Sequence, residues 1–255
     1  MLKMNPQLFV LNMSANDLCA FYCLSYKNEE RKTALANRFA QLNINVEFYD
    51  GVNFDDPRLS IPLGNNDGPK KAWSYTYGHF DMINKFVTET EKEYGVFCED
   101  DIYLDKNLAN DIPRLIEDFE TMSLDLLLLG YLTTYKIEEY HHGFNLKHEF
   151  HNRTHKYHNY PDDLWGAQMY MLSRSHAKTL LEKYYNGYAE KTLNPEFSAN
   201  MRPFCSDWTI TKEGNKALVY PMYAVEDGKT DYEHGGQHNF HKDCFHHNYN
   251  PERFI

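Results

Sequence analysis

Tyr94-Gly95-Val96-Phe97-Cys98-Glu99-Asp100-Asp101-Ile102-Tyr103 is the stretch that decides how this chain reads. Val96, Phe97 and Cys98 form a short apolar run, preceded by a glycine and followed at once by three carboxylates. A buried strand of a parallel sheet takes this form when it delivers acids to the carboxyl edge, where open α/β sheets bind ligands. Three adjacent carboxylates repel one another. A hard divalent cation such as magnesium, manganese or calcium relieves that repulsion, because it favours oxygen ligands. The plainer alternative is an acidic strand end facing water. The flanking sequence favours the first reading.

On the N-terminal side, Ala20 to Leu24 predicts a first buried strand and Ser25-Tyr26-Lys27-Asn28 a turn. Glu29 to Leu42 carries Leu35, Phe39 and Leu42 among charges, the spacing of an amphipathic helix. Val46 to Tyr49 predicts a second strand, closed by Asp50-Gly51-Val52-Asn53. This βαβ succession implies an α/β fold with a mainly parallel central sheet flanked by helices. Residues 54–71, rich in Asp, Asn, Pro and Gly, predict a loop. Residues 73–90 place Tyr77, Phe80, Ile83, Phe86 and Val87 at helical spacing and lead into the acidic strand.

On the C-terminal side, residues 107–122 predict a helix with Pro113 near its first turn, and Leu124 to Leu129 a buried strand. Residues 135–161 are dense in Tyr, His and Asn and lack periodicity. They predict a polar, partly exposed loop or hairpin, a form suited to a lid or an acceptor-binding insert. Their histidines, His141, His142, His148, His151, His155 and His158, lack the i, i+4 pairing around a glutamate that marks a zinc helix. Asp162-Asp163 opens a segment that becomes a strand ending at Ser173, and Ser173 or Ser175 caps a helix over 177–185. Cys205 to Ile210 predicts a short helix with Ser206 at its N-cap. Leu218 to Pro221 predicts a late edge strand, since proline cannot donate to a ladder. Residues 231–255 predict a tail that wraps over the sheet or frays. No repeat or linker divides the chain, so a single domain over residues 1–255 is expected, with a core over 20–231 and a tail over 232–255.

The 255 residues are 42% hydrophobic, enough for a sizeable core, and the formal charge of -11 argues against a non-specific nucleic-acid surface. Cys19, Cys23, Cys98, Cys205 and Cys244 are odd in number and show no zinc-type Cys-x-x-Cys spacing, which predicts free thiols in a reducing compartment. Cys98 has no adjacent basic partner and reads as a small hydrophobe, not a nucleophile. The opening Met-Leu-Lys-Met-Asn-Pro lacks a signal-peptide core, and no run is long enough to cross a membrane. The expectation is a soluble, cytoplasmic protein.

The ordered set of motifs resembles glycosyltransferase family 25, the lipopolysaccharide and collagen β-galactosyltransferase-like group. The Tyr22 to Arg31 stretch is similar to the family's opening strand, turn and helix start. Asp50-Gly51-Val52-Asn53 looks like its second-strand turn, and Gly78-His79 sits where the family has Ser-His. Phe97-Cys98-Glu99-Asp100-Asp101-Ile102 matches its Leu-Glu-Asp-Asp signature. Trp165 to Arg174, with Ala177 and Leu180-Leu181, resembles its Gly-x-x-x-Tyr-x-x-Ser-Arg-x-x-Ala-x-x-Leu-Leu segment, and Asp207 sits at its late-helix aspartate. The resemblance spans residues 20–231. The glycine expected before the Gly78 helix is absent near Lys71, Gly78 replaces a serine, and the histidine-rich insert departs from the pattern. Animal members carry a secretory signal, so this form fits a bacterial or viral-type enzyme better.

The resemblance implies a GT-A, Rossmann-like fold and an inverting transfer of a hexose, galactose or glucose, from a UDP-sugar to a hydroxyl of a glycan or protein. A divalent metal, manganese or magnesium, would neutralise the departing diphosphate. The resemblance makes Asp101 the direct metal ligand, with Glu99 and Asp100 orienting ribose, donor sugar or metal-bound water. His234 or His238 would add a C-terminal metal ligand; solvated tail histidines are the alternative. Asp207 is the candidate base for the acceptor hydroxyl, with Asp163 and Asp162 in reserve. The nucleotide would lie near Tyr22, Leu24 and Val52, with Tyr26 or Tyr49 stacking on the base, Arg31 reaching phosphate, and His79 and Trp73 lining the donor side. Two other classes use similar residues: a metal-dependent phosphohydrolase, for which no Asp-x-Asp nucleophile motif or P-loop is present, and a nucleotide-sugar-binding protein without turnover.

Overall fold

The computed structural model describes residues 13–135, 137, 145–151, 153–162, 164–229 and 235–255. Among these, the strands are β1 (Cys19–Ser25), β2 (Val46–Asp50), β3 (Tyr94–Glu99), β4 (Ile102–Leu104), β5 (Leu126–Gly130), β6 (Leu146–Glu149), β7 (Lys156–His158), β8 (Met169–Ser173), β9 (Lys216–Tyr220) and β10 (Ala224–Glu226). They form one mixed sheet, ordered β2-β1-β3-β8-β5-β9-β7-β6, with β10 joining β5 and β4 joining β10. Most strands run the same way; β8, β7 and β4 are the reversed ones. The mainly parallel sheet read from the sequence is therefore present, with β8 inserted antiparallel between β3 and β5.

Alternation along the central strands builds two cores. Tyr22, Leu24, Phe97, Leu126, Leu128 and Tyr170 face one side; Phe21, Cys23, Val96, Cys98, Leu127 and Met171 face the other. Helix α1 (Glu29–Gln41), with Leu35 and Phe39, and α3 (Leu108–Thr121) cover the second side. Helix α2 (Asp67–Glu89), with Trp73, Tyr77, Phe80, Ile83 and Phe86, and α4 (Arg174–Leu180) cover the first. Each large side chain so buried contributes about 1.5–3 kcal/mol of transfer free energy. The chain thus leaves β1 for β2 under α1 and returns from β2 to β3 under α2. The carboxyl ends of β1 and β3 flank the point where the winding changes sides, the crevice where such sheets bind ligands.

Several elements differ from the expectation. Within 54–71 the chain forms a helix, Pro57–Leu63, because the Asp56 side chain accepts from the Arg58 N–H (2.8 Å) and Pro57 presets the first turn. Ser206 is not an N-cap: Cys205 holds that place, and Ser206 begins the short helix α5 (Ser206–Thr209). The β9 strand is internal, between β5 and β7, and Pro221 falls just past its last residue, where no ladder donor is needed. The described part of 135–161 contains the β6–β7 hairpin. Its His155 is buried against Asp118 of α3 (Nε2–Oδ2 3.3 Å), which also accepts from Tyr157 O–H (2.8 Å).

The C-terminal segment wraps back. Helix α6 (Gly235–Asn248) packs on β10, and Ile255 exchanges backbone hydrogen bonds with Leu104 (2.9 and 3.0 Å). Among the described residues no helix is long and apolar enough to cross a membrane.

Gly78, where the resembled family has serine, lies on the α2 face against β1. A Cβ there would stand 2.7 Å from Leu24 Cδ1, and Leu24 is itself buried. Gly78→Ser should therefore cost about 1–3 kcal/mol through overpacking. Urea denaturation checks it: the cost of Gly78→Ser should be smaller when measured in a Leu24→Ala background than in the wild type.

Candidate functional site

Glu99 closes β3 and is paired in register with Leu24 of β1; Asp100 and Asp101 form the turn into β4. Backbone pairing therefore sets all three acids at the switch point. Ser25, the last residue of β1, donates its hydroxyl to Asp100 Oδ2 (2.7 Å). Arg31, in the first turn of α1, brings Nη1 to 3.8 Å from Asp100 Oδ1 and 3.5 Å from Asp101 Oδ2. On the far side, the Asp227 N–H donates to the Asp101 carbonyl (2.7 Å), which ties the end of β10 to the acidic turn.

That tie brings in groups that the sequence reading left out. Glu226, the last residue of β10, is buried and accepts from Gln168 Nε2 (3.4 Å). It also pairs with His241 Nδ1 of α6 at 2.8 and 2.9 Å. Burial, then Glu226, Asp207 and Asp100, push the Glu99 carboxyl up to about 8. Burial, then Glu226 and Glu99, push Asp101 in the same direction against the pull of Arg31. Burial also raises Asp100, against its bond from Ser25 and the charge of Arg31. The edge is thus an acidic pocket with more negative charge than Arg31 offsets.

His79 is fully buried and held down to about 4 by desolvation, so its ring is neutral. It bridges Tyr170 OH (Nδ1, 3.0 Å) and Glu99 Oε1 (Nε2, 3.4 Å). Tyr75 of α2 stands 44% exposed at the mouth. Burial, Glu99, Asp101 and Asp100 raise its phenol to about 12. Asp207, in the first turn of α5, accepts from the Gly166 N–H (2.9 Å) and acts electrostatically on both Glu99 and His79.

The other expected residues divide. Tyr22 is turned into the core, stacked on Phe97 at 5.7 Å, so its ring cannot also stack on a ligand. Leu24 and Val52 are buried, and Trp73 packs edge-on to Phe204 at 5.8 Å. Tyr26 is exposed; its ring lies against Gly51, where a Cβ would stand 2.8 Å from Tyr26 Cδ2, and its hydroxyl donates to Asn53 Oδ1 (2.9 Å). Tyr49 donates to Asp81 (3.1 Å). The Gly51–Val52–Asn53 turn, with Tyr49 and Arg58, lines a cleft of about 380 Å³. A second cleft of about 290 Å³ is lined by Trp73, Met201, Phe204 and Cys205, next to the start of α5. Asp162 is exposed and faces Lys216 at 3.6 Å. His234 and Asp163 lie outside the described residues. His238 is half-buried on α6, one turn before His241.

A signal for Glu226 was present in the sequence. Ala224-Val225-Glu226-Asp227-Gly228 repeats the apolar-then-acidic form of Val96 to Asp101. His241 had no such signal, since its role depends on how α6 packs. Among the described residues no group of three or more His, Cys, Asp or Glu side chains is arranged to hold a metal ion.

No family model matches the chain, and no curated protein matches it. Solved structures do resemble it distantly. A197 from STIV has a TM-score of 0.42 at 11% identity over 85% of this chain and 95% of that one. The mannose-1-phosphate geranyltransferase from Thermus thermophilus has a TM-score of 0.42 at 10% identity, over 80% and 74% of the two chains. S. aureus TarS 1-349 has a TM-score of 0.41 at 12% identity, over 83% and 60%. Likenesses of this size leave the chemistry to the side chains.

Proposed function

We propose that the chain is a metal-assisted glycosyltransferase of GT-A type, similar to family 25, that moves a hexose from a UDP-sugar to a hydroxyl acceptor. The observation that carries this reading is the meeting of Ser25, Arg31, Glu99, Asp100 and Asp101 at the switch point between β1 and β3. The donor set suits a hard divalent cation: the oxygens are carboxylate, and their crowding opposes ionisation until a cation arrives. Asp101 and Glu99 would hold the ion, with Glu226 and its His241 partner supporting them from β10 and α6. When bound, the ion supplies charge neutralisation for the diphosphate leaving group.

The chain's own residues do the rest. Arg31, already beside Asp100 and Asp101, offers a planar donor fork to phosphate oxygens. Ser25 fixes the Asp100 carboxylate through Oδ2, and Oδ1, beside Arg31, would meet a ribose or sugar hydroxyl. His79, neutral and buried, holds Glu99 from behind. Asp207 takes the proton of the acceptor hydroxyl. The acceptor oxygen then bonds to the anomeric carbon on the face opposite the diphosphate, that carbon's bond to phosphate oxygen breaks, and UDP leaves.

A thermal-shift series tests the reading. UDP with manganese should raise Tm by about 5–10 °C at a hundredfold excess over Kd, well beyond either component alone. UDP-galactose or UDP-glucose should then be hydrolysed slowly when no acceptor is present. No shift with UDP and manganese would sink the reading, and phosphate release from simple esters would favour the hydrolase.

A further inference from the structure

Trp165 leaves half its surface in water (50%) although it is followed by one of the most constrained turns in the chain. Gly166 sits at φ 142°, in a region closed to side chains, and a Cβ there would stand 2.8 Å from Tyr131 Cα. The Trp165 carbonyl accepts from the Leu132 N–H (3.2 Å), and the Gly166 N–H donates to Asp207 (2.9 Å). The peptide unit that follows Trp165 is thus pinned at both its carbonyl and its N–H, and one pin is the candidate base itself.

Trp208, next in sequence to Asp207, meets Trp165 edge to face, with centroids 5.9 Å apart at 83°. Lys212 is buried behind this pair. Its Nζ lies 5.8 Å from the Trp208 ring and 3.8 Å from Tyr160, and it donates to the Pro161 carbonyl (2.9 Å) and the Leu164 carbonyl. The two indoles therefore form a fixed aromatic corner, each within one residue of a group that holds or carries the Asp207 carboxylate.

We propose that this corner is the acceptor subsite and that the acceptor is a saccharide. A pyranose ring has one face of C–H bonds, which packs on an indole, and a rim of hydroxyls, which needs acceptors such as a carboxylate. A half-open tryptophan held rigidly beside an aspartate meets both needs. The assignment rests on the transferase reading above, because it takes Asp207 as the base.

Saturation-transfer NMR on the full chain tests it, with lactose, maltose, methyl β-D-galactopyranoside and methyl α-D-glucopyranoside as probes at millimolar concentration. At least one probe should give signal in the wild type. That signal should fall about fivefold or more in Trp165→Ala and persist in Trp165→Phe, since a flat ring retains much of the contact. Far-UV circular dichroism and Tm confirm that the variants fold. Absence of signal from all four saccharides, an unchanged signal in Trp165→Ala, or binding of a serine-containing peptide at this ring in their place would each overturn the proposal. The UDP and manganese shift of the wild type is read separately. Its loss counts against the transferase reading, whereas its presence with no saccharide signal counts against this subsite alone.

Discussion

Asp101→Asn should abolish sugar transfer while leaving the metal-free chain at least as stable as the wild type. The two effects have opposite signs because one carboxylate serves chemistry and opposes folding. In the proposed reaction Asp101 is the acid best placed to hold the charge-neutralising ion, and loss of such electrostatic support costs about 10²–10³ in turnover or more. In the folded chain without metal, the same carboxyl is buried among Glu99 and Glu226 and ionises reluctantly. The amide keeps its size. It also keeps the Asp227 N–H bond, which goes to the backbone carbonyl of residue 101. Arg31, only 27% exposed, loses a charged partner at 3.5 Å but keeps Asp100 at 3.8 Å, and the amide oxygen of the new side chain can still accept from it. Removing one of the crowded negative charges should outweigh that loss. Turnover of a UDP-hexose with manganese and urea midpoints in EDTA measure the two halves. Retention of activity within about threefold would remove Asp101 from the reaction. A loss of stability above about 2 kcal/mol would mean that the acid is structural.

The contrast between Asp101 and Glu226 shows what the sequence could convey. Asp101 stands in a run of three acids just past the end of β3, and Glu226 ends β10 and is followed by Asp227 and Gly228. The first was legible because its strand stands between two strong helical patterns, so its place in a βαβ succession was fixed by local order. β10 is three residues long and owes its position to β4, β5 and α6, which come from distant parts of the chain. The antiparallel entry of β8 was invisible for the same reason: alternation marks a strand but carries no sign for direction. His241 and Tyr75 were missed because a polar tail and a helix face have no period that distinguishes a site from solvent. The helix at Pro57 is hidden in the sequence because its capping Asp56 stands among the Pro, Asp and Gly of a loop-like stretch. Within β1 the alternation decided what each residue could do. Tyr22 and Leu24 take the phase that faces the α2 side of the sheet, which leaves Ser25, on the other phase at the end of the strand, as the group that reaches Asp100.

The same crowding of acids sets the pH dependence of the metal-free chain. Glu99 moves from an ordinary 4.5 up to about 8, through burial first and then Glu226, Asp207 and Asp100. A folded-state pKa above the unfolded one means that the folded chain binds more protons in between. Its contribution to stability is full below the unfolded value and is lost as pH rises through about 8. Asp101 acts in the same direction. The Glu99 displacement alone corresponds to at most about 5 kcal/mol, and because the neighbours share one repulsion, a total loss of about 2–4 kcal/mol is expected between pH 5.5 and 8.5. Asp118, held low despite its burial by His155, Tyr157 and Arg153, acts oppositely, but its contribution is lost only as pH falls below the ordinary carboxylate range, outside this window. Burial holds His79 and His176 below their ordinary value, so the cost of leaving them neutral is relieved as pH rises through about 6.5; this opposes the fall at the acidic end of the window and leaves the net fall clearest above pH 7. Urea midpoints in EDTA across the window should therefore fall with pH, and Glu226→Gln should flatten the slope by removing one source of repulsion. Stability that stays level or rises would show that the acids at this edge do not crowd one another. Magnesium should reverse the trend. A cation binds the ionised carboxylates and displaces their protons, so its stabilising effect should grow from pH 5.5 to 8.5, as it must if these acids hold an ion and not merely line a wet edge.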